Sequence, residues 1–480
     1  MHHTKLIVTL RTLNSRERNR WRSWVHSDFV NKNEHLRRLC DLVLAHAPGF
    51  DNPSLEKKKV FPVLFGASRA YDELILNNLI SDLLELLHGF LAYLQYEARP
   101  RQQILDLADQ LLRRDLGKSA AAALEKARRQ LDQAAERNAG WLETEQRWWE
   151  LHENLHARQS RQAPDDFLLR QADAADLRLV LEKLRLACIM ISRNSLAVAQ
   201  ADFQPRQLDH LRRWCTEEPL LADHPAVQTY LAVLDLLEKG SEQAYNHLTD
   251  MLERHQSIFP AEELAALYQY ALNYCIRKIN DGQPDGHRQA LNLYQTLLDK
   301  ALLLRDGQLS QWTYKNITTA GLRCREFEWT AVFLQRYKVL LPPADRDNAF
   351  AYNLAVLHFE QEQYTDALRA LQGVEFTDFT YHLGAKIMQL KIYYLLGESE
   401  ALMALIDATG KLLRRNRSLS AYGKSANLNF LSMLRYLMRK QIIQPQRRQA
   451  PAGNQQDIRL KMQNLQPLAN KEWLMVVAGL

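Results

Sequence analysis

Apolar residues recur along this chain at three- and four-residue spacing almost from start to finish. That period belongs to helices with one buried face. Asn14-Ser15 should cap a helix running to about Phe29, with Trp21, Trp24 and Val25 on one side. Asn31–Asn33 interrupts it. Leu36, Leu39, Cys40, Val43 and Leu44 carry a second helix to Pro48-Gly49. Asn52-Pro53-Ser54 opens a third, with Val60, Val63 and Leu64, which closes at Gly66. Asp72 opens a long fourth, apolar at Leu74, Ile75, Leu79, Leu83, Leu86, Leu87 and Phe90. Residues 1–98 therefore read as a helical N-terminal domain.

The pattern thins over residues 99–165, where Ala120–Ala123 and charged pairs such as Glu125 with Arg129 predict long exposed helices, an arm or spacer ending at Gln162-Ala163-Pro164. Over 166–440, helix follows helix, punctuated near Pro205, Pro219, Pro225, Gly240, Pro260, Pro284, Pro342 and Gly373. Paired helices at such spacing mark a solenoid. Within 441–480, residues 441–456 (QIIQPQRRQAPAGNQQ) read as a flexible link. The apolar end that follows predicts two short helices docking back as a cap.

Composition sharpens the class. With 17 glycines and 15 prolines in 480 residues, the chain is poor in turn formers, so the expected fold class is all-α. The net charge of +6, from 62 basic and 56 acidic residues, is mild and permits an acidic partner without demanding one. Five cysteines at 40, 188, 215, 275 and 324 form no CxxC pair and suit a reducing compartment. The apolar run Leu6–Leu10 is too short for a signal-peptide core. No run of about 18 apolar residues stands out, so a cytoplasmic protein with no membrane partner is expected.

The clearest repeat is YNLAVLHFEQEQYTDALRAL, Tyr352 to Leu371. It resembles the tetratricopeptide motif. Leu354 and Ala355 take the large-then-small pair of the first helix, Tyr364 the aromatic that starts the second, and Ala367 its small residue. The preceding repeat, from Tyr314 to Pro343, resembles the same motif, with Phe327 as the aromatic and Pro342 as the closing proline. Thr330 stands where the family has alanine. Segments from Ala271 to Leu298 and from Leu390 to Ala408 fit more loosely, and 226–254 more loosely still. The resemblance spans about 222–416 and implies a right-handed α-solenoid of TPR-like hairpins. Blocks such as SDFVNKN, LEKKKVFPVLFG and KIYYLLGESEAL also resemble segments of uncharacterised bacterial helical-repeat proteins.

In tetratricopeptide arrays the first helix of each repeat lines a concave groove that holds a partner. By position, the resemblance implies a lining of Lys315, Asn316, Thr319 and Arg323 from one repeat, and Tyr352, Asn353, Val356 and Glu360 from the next. Lys315 and Asn353 match two parts of the carboxylate clamp that some members carry, but Thr319 replaces its second asparagine. The expected function is a non-enzymatic scaffold or adaptor for a protein or peptide.

Two alternatives compete. Arg16, Arg18, Arg20 and Arg22, beside Trp21 and Trp24, suggest a nucleic-acid-associated regulator contacting phosphates. A solvated helix face is the competing reading. His152-Glu153-Asn154-Leu155-His156 spells HExxH, which on a helix puts two zinc ligands on one face and a general base between them. A zinc hydrolase would need a third ligand. The charged surroundings, with Glu150 and Arg158, favour instead a packing face of Trp148, Leu151 and Leu155 with solvated histidines. No Walker, Rossmann or nucleophile-elbow motif occurs, so no cofactor and no catalytic residue is expected.

Overall fold

Helices make up 78% of the structure. The computed structural model describes residues 1–159, 166–194, 202–372, 378–417, 419–442 and 452–480. Among these the strands are the two-residue pair Leu304–Arg305 and Gln308–Leu309. The fold is all-α. It packs as two compact units: Met1–Ile189 with Gln204–Tyr230 and Ser257–Phe259, and Met190–Phe203 with Leu231–Gln256 and Pro260–Leu480. Gln162-Ala163-Pro164 and Gly373, expected to end the arm and to punctuate the repeats, lie outside the described residues.

The first unit begins with α1 (Lys5–Thr12), α2 (Ser15–His26), α3 (Glu34–Leu44), α4 (Lys57–Phe65) and α5 (Glu73–Glu97). Asn14 accepts from the Glu17 amide at 2.9 Å while Glu17 accepts from the Asn14 amide at 2.8 Å, a reciprocal cap that fixes the start of α2. The helix stops at His26, short of the expected end, and leaves Phe29 97% exposed. Helix α1 is an addition to the sequence reading. Eight residues are too few to be helical alone, but Leu6, Ile7 and Leu10 are fully buried, and α1 packs on α5. Val63 and Leu74 fit the helical period yet face outward. Helix α5 is long and apolar enough by composition to cross a membrane. Here its Leu76, Leu79, Ile80, Leu83, Leu87 and Phe90 belong to the N-terminal core.

Helices α6 (Pro100–Arg113), α7 (Gly117–Gln133) and α8 (Ala139–Gln159) pack on one another, where the sequence reading expected an exposed arm. Buried Ala120, Ala123 and Ala127 let α7 come close to its neighbours. The indoles of Trp141 and Trp148 donate to the carbonyls of Leu131 (3.2 Å) and Leu124 (2.8 Å) across the α7–α8 contact. A buried tryptophan whose N–H is satisfied adds a large apolar area at no polar cost. The unit continues into α9 (Phe167–Asn194), α10 (Leu208–Glu217), α11 (Pro219–Ala222) and the start of α12 (Pro225–Lys239).

In the second unit α13 (Glu242–His255) precedes four helix pairs: α14 (Ala261–Asn280) with α15 (Asp285–Asp299), α16 (Gln311–Arg323) with α17 (Phe327–Tyr337), α18 (Arg346–Glu360) with α19 (Tyr364–Ala370), and α20 (Phe379–Leu396) with α21 (Ser399–Arg415). One turn recurs inside every pair. Gly282, Arg325, Glu362 and Gly397 each take a positive φ, and the next amide reaches back to the carbonyl five residues earlier: Gln283 to Lys278, Glu326 to Gly321, Gln363 to His358, Glu398 to Tyr393, at 2.8–2.9 Å. This is the Schellman closure, which satisfies helix-end carbonyls. Asp115 closes α6 onto α7 the same way.

Packing between pairs also follows a rule. Helix α18 touches both α16 and α20, the first helices of the flanking pairs, and α15, α17 and α19 each touch the first helix of the following pair. Thr330 sits fully buried where the sequence pattern calls for alanine. The compensation is Gly321 on α16: a Cβ there would lie 2.3 Å from the Thr330 Oγ1. After α22 (Ala421–Ile442), α23 (Ala452–Asn464) and α24 (Lys471–Ala478) contribute Ile458, Met462, Leu474 and Ala478 to a core with Leu390, Leu402, Phe430 and Leu434. The expected link at 441–456 is thus partly helical at both ends, and 443–451 lie outside the described residues.

Candidate functional site

Helices α16, α18 and α20 lie side by side, and their N-terminal halves gather three aromatic rings around one cation. The Lys315 Nζ stands 5.3 Å from the ring centre of Tyr352, 5.4 Å from Tyr381 and 6.0 Å from Trp312. Such ring faces attract an ammonium group through their quadrupoles. Among the described residues the Lys315 ammonium has no hydrogen-bond or ion-pair partner. Burial holds its ammonium below the usual lysine range, and the Asp378 carboxylate opposes that. Asp378 itself is fixed by accepting from the amides of Thr380 and Tyr381 as the cap of α20. Gly384 permits the arrangement, because any side chain there would meet the Tyr352 hydroxyl at 2.7 Å.

The other residues proposed from the repeat pattern divide into surface and core. Asn316, Thr319, Arg323 and Glu360 are exposed, and Val356 is half-buried. Asn316 lies near the Tyr294 hydroxyl, and the Thr319 hydroxyl donates to the Lys315 carbonyl at 2.9 Å. Asn353 is 1% exposed. Its amide donates to the Ala349 carbonyl at 2.7 Å and lies beside the Tyr381 hydroxyl, which itself donates to the Gln311 carbonyl at 3.0 Å, so Asn353 braces the array from within. Tyr352 is 9% exposed and meets Tyr381 edge to face at 5.0 Å.

Further along the same three helices, Arg323, Glu360 and Lys391 share an electrostatic neighbourhood. Burial brings the Lys391 ammonium down to about 8; Glu360 attracts the proton and Arg323 repels it. Its Nζ lies 5.4 Å from the Trp473 ring centre of α24. Sequence reasoning missed Trp312, Tyr381 and Lys391. Trp312 carries a readable signal, since it precedes Lys315 by three residues and shares its helix face. Tyr381 and Lys391 come from a repeat whose fit to the pattern is loose.

The two alternative sites also find their places. His152 and His156 lie on one face of α8, but neither ring is simply solvated. They pack 4.6 and 5.2 Å from the Phe167 ring, and His152 also 4.8 Å from Trp148. Among the described residues no group of three or more His, Cys, Asp or Glu is arranged to hold a metal ion. On α2, Arg20 pairs with Glu97 at 2.7 Å, Arg22 with Asp41 at 2.7 Å, and Arg18 donates to the Leu13 carbonyl.

No protein-family model matches this chain, and no curated protein matches it in sequence.

Proposed function

We propose that the chain is a non-enzymatic scaffold whose second unit is a right-handed solenoid of tetratricopeptide-like hairpins, and that it binds a protein or peptide along α16, α18 and α20. The observation that carries this reading is Lys315, a half-buried cation ringed by Trp312, Tyr352 and Tyr381 and, among the described residues, without an anion bonded to it. Ordering a lysine this way before a partner arrives lowers the cost of binding an oxygen-rich segment. Exposed Asn316, Thr319, Arg323 and Glu360 would extend the contact along the same helices. The clamp seen in some tetratricopeptide proteins does not carry over in its usual form, because Asn353 is buried and its amide donates to the Ala349 carbonyl. Five free thiols agree with a reducing, cytoplasmic setting.

The test is affinity capture from native cell extract, at low and moderate salt, with the tagged chain and with a Lys315→Met/Arg323→Ser variant. One dominant protein recovered at both salts by the parent chain, and lost in the variant while its circular dichroism is unchanged, is the expected result. Equal recovery by the variant would sink the assignment to this face. Nucleic acid recovered only at low salt would bring the arginines of α2 forward instead.

A further inference from the structure

The face proposed to receive a partner is already occupied over α20. Arg325, Glu362 and Gly397 close α16, α18 and α20 at positive φ. Six residues before those turns stand Thr319, Val356 and Lys391, so Lys391 holds in α20 the repeat position of two residues expected to line the groove. Over it lies Trp473 of α24, its ring centre 5.4 Å from the Lys391 Nζ. The same indole meets Tyr394 of α20 and Phe430 of α22 edge-on, at 5.7 and 6.2 Å. Leu474 and Ala478 are buried in one core with Leu390, Phe430 and Leu434. We infer that α24 is a displaceable plug in this groove, and that the partner taking its place is an amphipathic helix with an aromatic anchor and an acidic residue set against Lys391. The inference rests on the groove reading above.

Three observations carry it. The first is the shape of the occupant. Trp473, Leu474, Val477 and Ala478 fall on one face of α24 and all pack into that core, the way a short helix fills a groove. The second is how lightly α24 is built. Eight residues do not hold a helix alone, and Asn470 at its start takes a φ of 52° and supplies no side-chain cap. Its order comes from docking. The turn before it is tied to α22 by the Asn429 amide donating to the Pro467 carbonyl at 2.8 Å and the Ala469 amide donating to the Ala426 carbonyl at 3.1 Å. Trp473 stays only half-buried in its seat. The third is a mismatch of charge. Docking covers the Lys391 ammonium, which among the described residues has no hydrogen-bond or ion-pair partner; Glu360 attracts it and Arg323 repels it from a distance. A desolvated cation without an anion penalises the docked state. A carboxylate in the same place would make a charge-assisted bond that α24 does not make. Lys315, on the same face, awaits an anion in the same way.

The probe is a fluorescein-labelled synthetic peptide of residues 466–480, titrated by anisotropy into the full chain and into full-length Trp473→Ala. The variant, its own plug loosened, should bind the peptide about tenfold more tightly than the parent, because a closed plug lowers apparent affinity by the fraction of open molecules. Asn470→Glu and Val477→Glu peptides place a carboxylate one turn to either side of the indole. One of them should bind the Trp473→Ala chain about tenfold more tightly again, and lose that gain in Trp473→Ala/Lys391→Met. Equal binding by parent and variant would overturn the plug, and no gain from either glutamate would overturn the acidic partner. Hydrogen exchange of the unmodified chain gives a readout that needs no variant to fold. The α24 amides should exchange by local opening while α20 and α22 stay protected, and exchange of all three only together would make α24 an integral part of the array. Neither measurement uses the captured partner, so failure of the plug and failure of the groove reading are told apart.

Discussion

Replacing Gly321 with alanine puts a Cβ 2.3 Å from the Thr330 Oγ1, with Trp329 a further 3.5 Å contact. The threonine cannot yield cheaply. Its hydroxyl donates to the Glu326 carbonyl at 2.7 Å, and rotating χ1 would swing the methyl group into the same space. Overpacking of this kind costs about 1–3 kcal/mol. Alanine in a helix gains about 0.5–1 kcal/mol over glycine, so the clash wins and Gly321→Ala destabilises the α16–α17 pair by roughly 0.5–2 kcal/mol. Thr330→Ala alone loses a buried methyl and a hydroxyl bond. The Glu326 carbonyl still accepts from the residue 330 amide at 2.9 Å, which limits the loss to about 1–2 kcal/mol. In the Thr330→Ala background the clash is gone, and Gly321→Ala becomes stabilising by its propensity gain. The sign of one substitution therefore reverses with the other. Native-state hydrogen exchange of the α16 and α17 amides, read by mass spectrometry for the parent, both singles and the double, measures this as a coupling energy. If Gly321→Ala had the same effect in both backgrounds to within about 0.5 kcal/mol, the steric account would be refuted.

Asn353→Ala removes a buried amide that donates to the Ala349 carbonyl and should lower stability by about 1 kcal/mol; an unchanged thermal midpoint would return Asn353 to the surface role its repeat position suggests. Lys391 titrates near 8 in the folded chain, against about 10.4 unfolded. Between those values the unfolded state holds more protons, so this group makes stability rise with pH across about 8 to 10.4 and fall as pH drops through it. Lys391→Met should flatten that part of a stability-versus-pH profile, and a profile with the same slope in the variant would count against the burial of this lysine.

Local chemistry was legible where it is self-contained. Asn14 announces the start of α2 because the amide it caps lies only three residues on. The all-α class followed from period and scarce breakers. Features that need a partner from elsewhere were not legible. Leu6, Ile7 and Leu10 look like an isolated short run until α5 covers them. The sparse apolar content of residues 99–165 suggested an exposed arm, yet Trp141 and Trp148 bury enough surface to hold α7 and α8 together. Position within a repeat assigned Lys315 and Arg323 to the right helix but could not distinguish Asn353, which points inward, from Asn316, which is exposed. The Lys315 box needs Tyr381 from another helix pair, and helical spacing carries no information about that approach.

The recurring left-handed closure has a consequence for how such a chain can change over time. Within each pair the carbonyls at the end of the first helix are satisfied by the next few residues of the same pair, at Gly282, Arg325, Glu362 and Gly397 alike. The two connections between pairs that lie wholly within the described residues differ from each other: a two-stranded hairpin at Leu304–Leu309 joins α15 to α16, and a short 3₁₀ turn at Lys338–Leu340 precedes α18. Hairpins are therefore the heritable cassettes of this array and the connections its editing sites. A lineage can lengthen, shorten or decorate the junction at Asp306-Gly307 and leave every closure intact, so descendants should diverge first along that edge while the pitch inside each cassette stays fixed.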